Sequence, residues 1–213
     1  MNVIVVDTET ANSLDDPIIY DIGWMVLNLE HEKVLKSESY AVAEIFLDKE
    51  LMNSAYYAEK VPKYWTSIKA GDRKLAKMRT IQRQFEEDYE IYNVSEIYAH
   101  NARFDYKACN TTKRYMTCSK YRYFFPYGAK ICDTLKMARQ WLKGNEEYTR
   151  FCIENEYRTK NNQNRLTAEV IYRYLTQNTD FEEKHMGLED VEIEKDILLA
   201  CRRNGILDGT LWE

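Results

Sequence analysis

The first half of the chain alternates apolar runs with polar segments, which is the pattern of β-strands. Residues 3–7 form a continuous, β-branched run that ends in an acid, as expected of a buried central strand. Residues 20–29 and 34–42 predict two further strands, and the polar segment 30–33 between them predicts an antiparallel hairpin. Shorter apolar runs predict additional strands at 96–99 and 130–132.

Apolar residues at helical spacing dominate the rest of the chain. Asp72 is predicted to cap a long helix that runs to about Tyr92, and Thr167 to cap a helix over 168–175. The last helix is predicted from about Leu188 to Arg203, with Asn204-Gly205 as its C-terminal stop. Two more helices are predicted after Phe104 and up to Trp141. Strands followed by alternating strands and helices are typical of an α/β fold with a mixed sheet.

Composition predicts one globular unit. No internal repeat and no linker is evident in the 213 residues, which include only 7 Gly and 3 Pro, so we expect a single domain over residues 1–213. No apolar run approaches the ~20 residues of a membrane span, and the first residues lack signal-peptide features. The five cysteines form no C-x-x-C pair. We therefore expect a reduced, intracellular, cytoplasmic protein with mostly structural thiols and no membrane partner.

Charge is distributed unevenly along the chain. The formal net charge of −5 argues against binding of nucleic acid by overall charge. Segment 60–83 nevertheless holds eight basic residues and one acid, segment 103–143 ten basic residues and two acids, and segment 182–196 seven acids. Basic stretches beside a separate acidic cluster are typical of a metal-dependent enzyme that acts on a polyanion. Solvated helix faces are the alternative explanation.

Asp7 and Glu9 stand two residues apart at the end of the first predicted strand. Residues i and i+2 of an extended chain point to the same side, so both carboxylates face one point in space. Ligands collect at strand ends of α/β sheets, and paired carboxylates suit Mg²⁺ or Mn²⁺. With 35 acidic residues in the chain, such a pair also arises by chance.

A second candidate, residues 100–105, follows the predicted strand 96–99. Asp105 lies at a strand-to-helix junction, which would direct it to the same sheet edge as Asp7. Alternatively, Asn101 or Asp105 only caps the following helix. We expect His100 and Asn101 to shape the turn, whereas both interpretations of Asp105 stay open.

A third candidate begins with His185, one of only three histidines. It precedes the last predicted helix, whose first turn carries Asp190. A loop histidine can move over a metal-bound water, whereas a carboxylate on a helix stays fixed as a ligand. Gly187 permits a close backbone approach or an unusual dihedral angle. The alternative is a surface histidine beside an acidic helix face.

Together and in this order, the D-x-E, H-N-x-x-F-D and H-x-x-x-x-D motifs resemble the DEDDh group of 3′–5′ exonucleases, which have the ribonuclease H-like fold. The proofreading subunit of bacterial DNA polymerase III, ribonuclease T and oligoribonuclease belong to this group. Segments 131–135 and 166–175 are similar to further parts of the family pattern, and the resemblance covers about residues 2–200. Residues 46–83 match no part of it and are predicted to be a family-variable insertion.

The resemblance implies an α/β fold with a ribonuclease H-like mixed β-sheet flanked by helices. It also implies a metal-dependent 3′–5′ exonuclease that hydrolyses phosphodiester bonds at the 3′ end of DNA or RNA and releases nucleoside monophosphates. His185 is implied as general base, since an unperturbed pKa of ~6.5 suits that role. The implied ligands of two divalent metal ions, Mg²⁺ or Mn²⁺, are Asp7, Glu9, Asp105 and Asp190.

The expected partner is nucleic acid with a free 3′ end, single-stranded, with a polymerase or replication protein as a further partner. Thr8, Thr10 and Asn101 are predicted to contact the terminal nucleotide, and Lys120 and Arg122 to hold the strand. Neighbouring aromatic residues are candidates to stack bases, with a place in the core as the alternative for two of them, Phe124 and Phe125. These aromatic residues are Tyr121, Tyr123, Phe124, Phe125 and Tyr127.

Two other functions stay open. The first is a catalytically silent nucleic-acid-binding or polymerase-associated module on the same fold, which the presence of every motif acid and of His185 disfavours. The second is a different two-metal nuclease or phosphatase. Such enzymes typically lack the pairing of a histidine with an acid five residues later, which His185 and Asp190 provide.

Overall fold

The predicted strands assemble into one mixed sheet. The structure, a computed structural model, describes residues 1–120 and 122–212. Within these residues the sheet has six strands in the order β4-β3-β2-β1-β5-β6. The strands are β1 (Asn2–Ala11), β2 (Ile18–Asn28), β3 (Lys33–Val42), β4 (Lys74–Ala76), β5 (Val94–Ala99) and β6 (Lys130–Asp133). The pairs β1–β2 and β2–β3 are antiparallel, which confirms the hairpin, whereas β3–β4, β1–β5 and β5–β6 are parallel.

Helices cover both faces of this sheet. They are α1 (Ala43–Phe46), α2 (Lys49–Met52), α3 (Val61–Ala70), α4 (Met78–Ile91), α5 (Ala102–Met116), α6 (Thr134–Leu142), α7 (Glu146–Glu154), α8 (Ala168–Thr176) and α9 (Gly187–Arg203). Because side chains alternate across a strand, β1 contributes Ile4 and Val6 to a core with α4 and α5. It contributes Val3 and Val5 to a second core with α6 to α9. The predicted α/β class, a mixed sheet flanked by helices, is confirmed.

Helix ends with local signals lie where the sequence predicts them. The Thr167 side chain accepts a hydrogen bond from the Val170 N–H and begins α8. Asn204 follows the last residue of α9, and Gly205 has a φ of 80°, which favours glycine. The predicted cap and stop are therefore confirmed.

The long helix predicted from Asp72 is wrong at its start. Residues Lys74–Ala76 form β4, which pairs with Tyr40–Val42 of β3, and α4 begins only at Met78 without a side-chain cap. Met78, Ile81 and Phe85 are buried at helical spacing as predicted. Leu75 fits the same helical spacing. Its backbone nevertheless pairs with the edge of β3, and this strand pairing makes the segment a strand instead of a helix.

Residues 46–83, predicted as an insertion, form part of the sheet and of the core. They include α2, α3 and β4, and the side chains of Phe46 and Tyr64 lie in the core. The Tyr64 hydroxyl donates to Asp21 Oδ2 of β2 at 2.9 Å. That this stretch varies within a family, and that residues 1–213 form a single domain, stay predictions.

Four of the five cysteines are buried, in agreement with mostly structural thiols, and Cys118 is exposed. Among residues 1–120 and 122–212, no helix combines the length and the apolar character that crossing a membrane requires.

Candidate active site

Four elements bring the predicted site residues to the end of β1. Asp7 and Glu9 lie on β1, Asp105 in the first turn of α5, and Asp190 in the first turn of α9, which His185 precedes. Ligand atoms of Glu9, His185 and Asp190 lie within 4.8 Å of one another. The charges of Glu9, Asp105 and Asp190 all act on Asp7. The structure thus brings together all five residues, although their catalytic roles stay predictions.

The α5 side of the site is held by two hydrogen bonds. Thr8 Oγ1 donates to Asp105 Oδ1 at 2.8 Å, which ties the helix to β1. Asn101 adopts a left-handed conformation (φ 69°), and its N–H donates to Asp133 Oδ1 at 3.0 Å. The expectation that Asn101 shapes this turn is therefore confirmed. Helix α5 begins without a side-chain cap from Asn101 or Asp105. Substrate contacts by Thr8, Thr10 and Asn101 stay predictions.

The start of α9 lies directly on β2. A Cβ atom added to Gly23 would lie 2.2 Å from the backbone nitrogen of Leu188. A Cβ atom added to Gly187 would lie 2.8 Å from the backbone nitrogen of Gly23. Only glycine therefore fits at either position. The close approach predicted for Gly187 is confirmed. Asp190 Oδ2 accepts a hydrogen bond from the Met186 N–H at 2.7 Å, which fixes the carboxylate against the loop.

A buried ionic network that we did not predict anchors the start of α9. Asp21 of β2 is fully buried and accepts the Gly187 N–H at 2.8 Å. Its other oxygen lies 3.1 Å from Arg73 Nε, and Arg73 Nη2 binds Glu189 Oε2 of α9 at 2.9 Å. Arg73 was visible in the sequence only as one member of a basic stretch. The network joins segment 46–83 to β2 and to the start of α9.

His185 contacts the same segment. Its ring stacks on Tyr57 with 4.1 Å between ring centroids, and Glu183 Oε2 lies 3.9 Å from Nδ1. Lys60 Nζ lies 4.5 Å from the centroid of the Tyr57 ring and donates to the Lys184 carbonyl oxygen. Burial, and next the charge of Lys60, lower the pKa of His185 below its ordinary value. The pKa of His185 is thus shifted downward, which favours the neutral ring.

The carboxylates of the site resist ionisation. Burial, reinforced by neighbouring acids, raises the pKa of Glu9 to about 9 and that of Asp190 to about 8. Burial raises the pKa of Asp105 to about 7, against the opposing hydrogen bond from Thr8. The pKa of Asp7 is also raised by desolvation and by the surrounding acids. A divalent cation would relieve this repulsion, and hard carboxylate oxygens beside one imidazole fit Mg²⁺ or Mn²⁺.

A cleft of about 520 Å³ opens beside Asp7. Its walls include Asn101, two exposed cations, Arg139 and Arg165, and a further acid, Glu194. These three charged residues were missed as site residues. Arg139 and Arg165 carry no sequence signal beyond their charge, whereas Glu194 stands four residues after Asp190, which a helical pattern places on the same face.

The predicted strand-holding residues lie elsewhere, and neither Lys120 nor Arg122 lines this cleft. Asp105 is in the first turn of α5, whereas both cations follow the last residue of this helix, Met116, which lies about 16 Å from Asp105 along the helix axis. That Lys120 and Arg122 hold the nucleic-acid strand stays a prediction. Phe124 and Phe125 are buried, so the core alternative is correct, Tyr123 and Tyr127 are exposed, and Tyr121 lies outside the described residues.

No protein-family model matches the sequence, and no curated protein matches it. Solved structures are similar along almost the whole chain. The nuclease domain of 3′hExo, described as a DEDDh family member bound to rAMP, has a TM-score of 0.67 at 10% identity, covering 100% of this chain and 96% of that one. Exonuclease X in complex with 5′ overhanging duplex DNA has a TM-score of 0.54 at 15% identity, with 97% and 95% covered.

A third similar structure is E. coli exonuclease I in complex with a dT13 oligonucleotide. Its TM-score is 0.59 at 12% identity, and the match covers 95% of this chain and 41% of that one. Identities this low show the shared fold. The chain therefore shares the α/β fold of these solved exonucleases, and its membership of the DEDDh group stays a prediction.

Proposed function

We propose that this protein is a metal-dependent 3′–5′ exonuclease that hydrolyses the terminal phosphodiester bond of DNA or RNA and releases nucleoside monophosphates. The observation that carries the proposal is the convergence of Asp7, Glu9, Asp105, Asp190 and His185 at one strand end. These residues come from three distant parts of the sequence, and the fold that joins them is shared with solved 3′-exonucleases.

The four acids Asp7, Glu9, Asp105 and Asp190 would hold two divalent ions, Mg²⁺ or Mn²⁺. Bound ions would supply charge neutralisation at the phosphate and a nucleophilic water at neutral pH. His185 would accept the proton of the attacking water as the water adds to phosphorus. The bond to the 3′-oxygen would break at the same time, and that oxygen, which stays on the shortened strand, would take a proton from solvent water. Its lowered pKa keeps the imidazole neutral and ready to accept that proton.

We assign the 3′-terminal nucleotide to the cleft beside Asp7. A volume of about 520 Å³ is in the range of small-molecule sites, so it suits one or two nucleotides of a single strand. Arg139 and Arg165 supply positive charge for phosphate, and Asn101 supplies an exposed amide. A polymerase or replication protein as a further partner stays a prediction.

Digestion of labelled oligonucleotides tests the activity. With Mg²⁺ or Mn²⁺, 5′-labelled DNA or RNA should give a ladder that shortens from the 3′ end, and EDTA should stop it. A circular single strand should resist. Cleavage of the circle while linear strands keep their 3′ ends would contradict the proposal. Asp7→Asn should abolish the ladder, whereas the matched exchange at the exposed Asp15, Asp15→Asn, should leave it unchanged.

A further inference from the structure

Glu194 is a buried carboxylate outside the three motifs. Glu194 lies on α9 one turn after Asp190 and is only 3% exposed. It lines the cleft together with Asp7. The two residues therefore share one cleft at the end of β1.

Within residues 1–120 and 122–212, the protein offers Glu194 little compensation. The backbone N–H of His100 donates to the carboxylate, but Oε2 is buried without a hydrogen-bond partner. Asp190 Oδ1 is buried and unpartnered as well. No Lys, Arg or His side chain among these residues forms an ion pair with Glu194.

The neighbours of Glu194 on α9 show what packing alone would select. Val191, Ile197 and Leu198 are fully buried and apolar. Burying an unpaired carboxylate among such residues is unfavourable, and an apolar side chain of the same volume would pack there without that penalty. In its ionised form, a carboxylate with one buried, unpartnered oxygen beside Asp7 is stabilised by a cation, and no side chain within residues 1–120 and 122–212 supplies one by an ion pair.

We propose that Glu194 is a fifth carboxylate ligand of the metal centre and holds a divalent ion together with Asp7. The inference rests on the proposed function, because it requires a metal centre at the end of β1. It extends the ligand set beyond the four motif acids. An added hard oxygen ligand strengthens binding of a divalent cation.

Mn²⁺ binding to the full-length chain tests the proposal without relying on activity. Calorimetric titration of Glu194→Gln should show at least one Mn²⁺ site weakened by about 10- to 100-fold, because even groups that only hydrogen-bond to metal ligands contribute that much to metal affinity. The matched control Glu192→Gln removes an exposed acid from the same helix and should bind as the wild type does. Glu194→Met, which fills a similar volume with an apolar group, is the second variant in case the glutamine variant folds poorly.

Two further readouts separate ligation from other roles. In EDTA the melting temperature of both variants should equal or exceed that of the wild type, and Mn²⁺ should raise it less. If the role of Glu194 were purely structural, its replacement would instead lower the melting temperature with and without metal.

Water-proton relaxation should rise per bound Mn²⁺ in Glu194→Met, since water takes the vacated ligand position. Unchanged relaxation would show that Glu194 acts only at a distance and would overturn its assignment as a ligand.

The outcomes also separate this inference from the proposed function. If Glu194→Gln and Glu194→Met keep wild-type Mn²⁺ affinity and stoichiometry while Asp7→Asn loses Mn²⁺, Glu194 is not a ligand and the proposed metal centre stands. If the wild type itself binds no Mn²⁺, the metal centre and the role of Glu194 both fail.

Discussion

His185 depends on neighbours that are far from it in sequence. Tyr57 covers one face of its ring, Glu183 lies near Nδ1, and Lys60 contributes positive charge. The same ring also lies close enough to Glu9 and Asp190 to serve as a metal ligand. If His185 is a general base, its removal should leave metal binding unchanged. If it is a metal ligand, its removal should weaken metal binding.

Replacing His185 by alanine should lower turnover by ~10²- to 10⁴-fold, the usual contribution of a general base. Mn²⁺ affinity should stay close to that of the wild type, because carboxylates hold the metal. Steady-state kinetics and calorimetry on the same preparation measure both quantities. His31→Ala, at an exposed turn, is the matched control. Loss of a Mn²⁺ site in His185→Ala would assign the ring as a ligand.

The charge of Lys60 should set the acidic limb of the pH–rate profile. A neutral imidazole is the active form, so the rate rises as pH increases through the pKa of His185. Since burial and Lys60 lower that pKa, the wild-type limb should lie below pH ~6.5. Lys60→Met should move the limb to higher pH and reduce activity near pH 6. The exposed Lys63→Met should not move it. Coincident profiles for Lys60→Met and the wild type would contradict this role.

At the scale of elements, α9 carries Asp190 and Glu194, and its first turn is fixed to β2 by buried polar contacts. Arg73 binds both Asp21 of β2 and Glu189 of α9, and Gly23 allows the two backbones to touch. A shift of this turn would move Asp190 and the His185 loop together. The edge segment containing α3 and β4 therefore supports the site although it supplies none of the motif acids.

Arg73→Met should reduce the free energy of unfolding by ~3–5 kcal/mol, because it leaves the buried Asp21 carboxylate without its cation. Chemical denaturation measures the loss. Arg83→Met is the control: Arg83 forms an exposed ion pair with Glu87 on α4, and such pairs contribute at most ~0.5 kcal/mol. Equal stability of the two variants would show that the Asp21–Arg73 pair does not anchor α9.

At the scale of the whole molecule, the clustered acids couple stability to pH and to metal. Glu9, Asp105 and Asp190 have folded-state pKa values of about 9, 7 and 8, against ordinary values of 3.8 to 4.5. The folded state therefore binds protons more tightly than the unfolded state. Stability from these groups is complete below pH ~4 and is lost as pH rises through the folded-state values.

In EDTA, the melting temperature should fall as pH rises from about 5.5 to 9, and Mn²⁺ should restore most of the loss at the alkaline end. Calorimetric melting at several pH values, with and without Mn²⁺, measures this. A variant with Asp7→Asn and Glu194→Gln should show a shallower decline in EDTA. A metal-free protein whose stability increases over the same range would contradict the buried acid cluster.

Features set by neighbouring residues could be predicted from the sequence. β-Branched runs indicate central strands, and the Thr167 side chain caps the helix that follows it. The three motifs, each at the end of a strand or the start of a helix, were sufficient to predict the fold class and the acids that gather at β1. Strand order and side-chain alternation constrain where such residues meet, because carboxyl ends of neighbouring parallel strands share one sheet edge.

Features that depend on distant contacts were decided only by the tertiary structure. Lys74–Ala76 form a strand because the edge of β3 is available, although their own pattern favours a helix. The Arg73–Asp21 pair and the Tyr57–His185 stack join segments whose sequences carry no sign of each other. Glu194 had the right helical spacing, but spacing alone does not tell a buried, unpaired acid from a solvated one. Burial and desolvation arise only when the chain packs, and they distinguish a site residue from the many other charges.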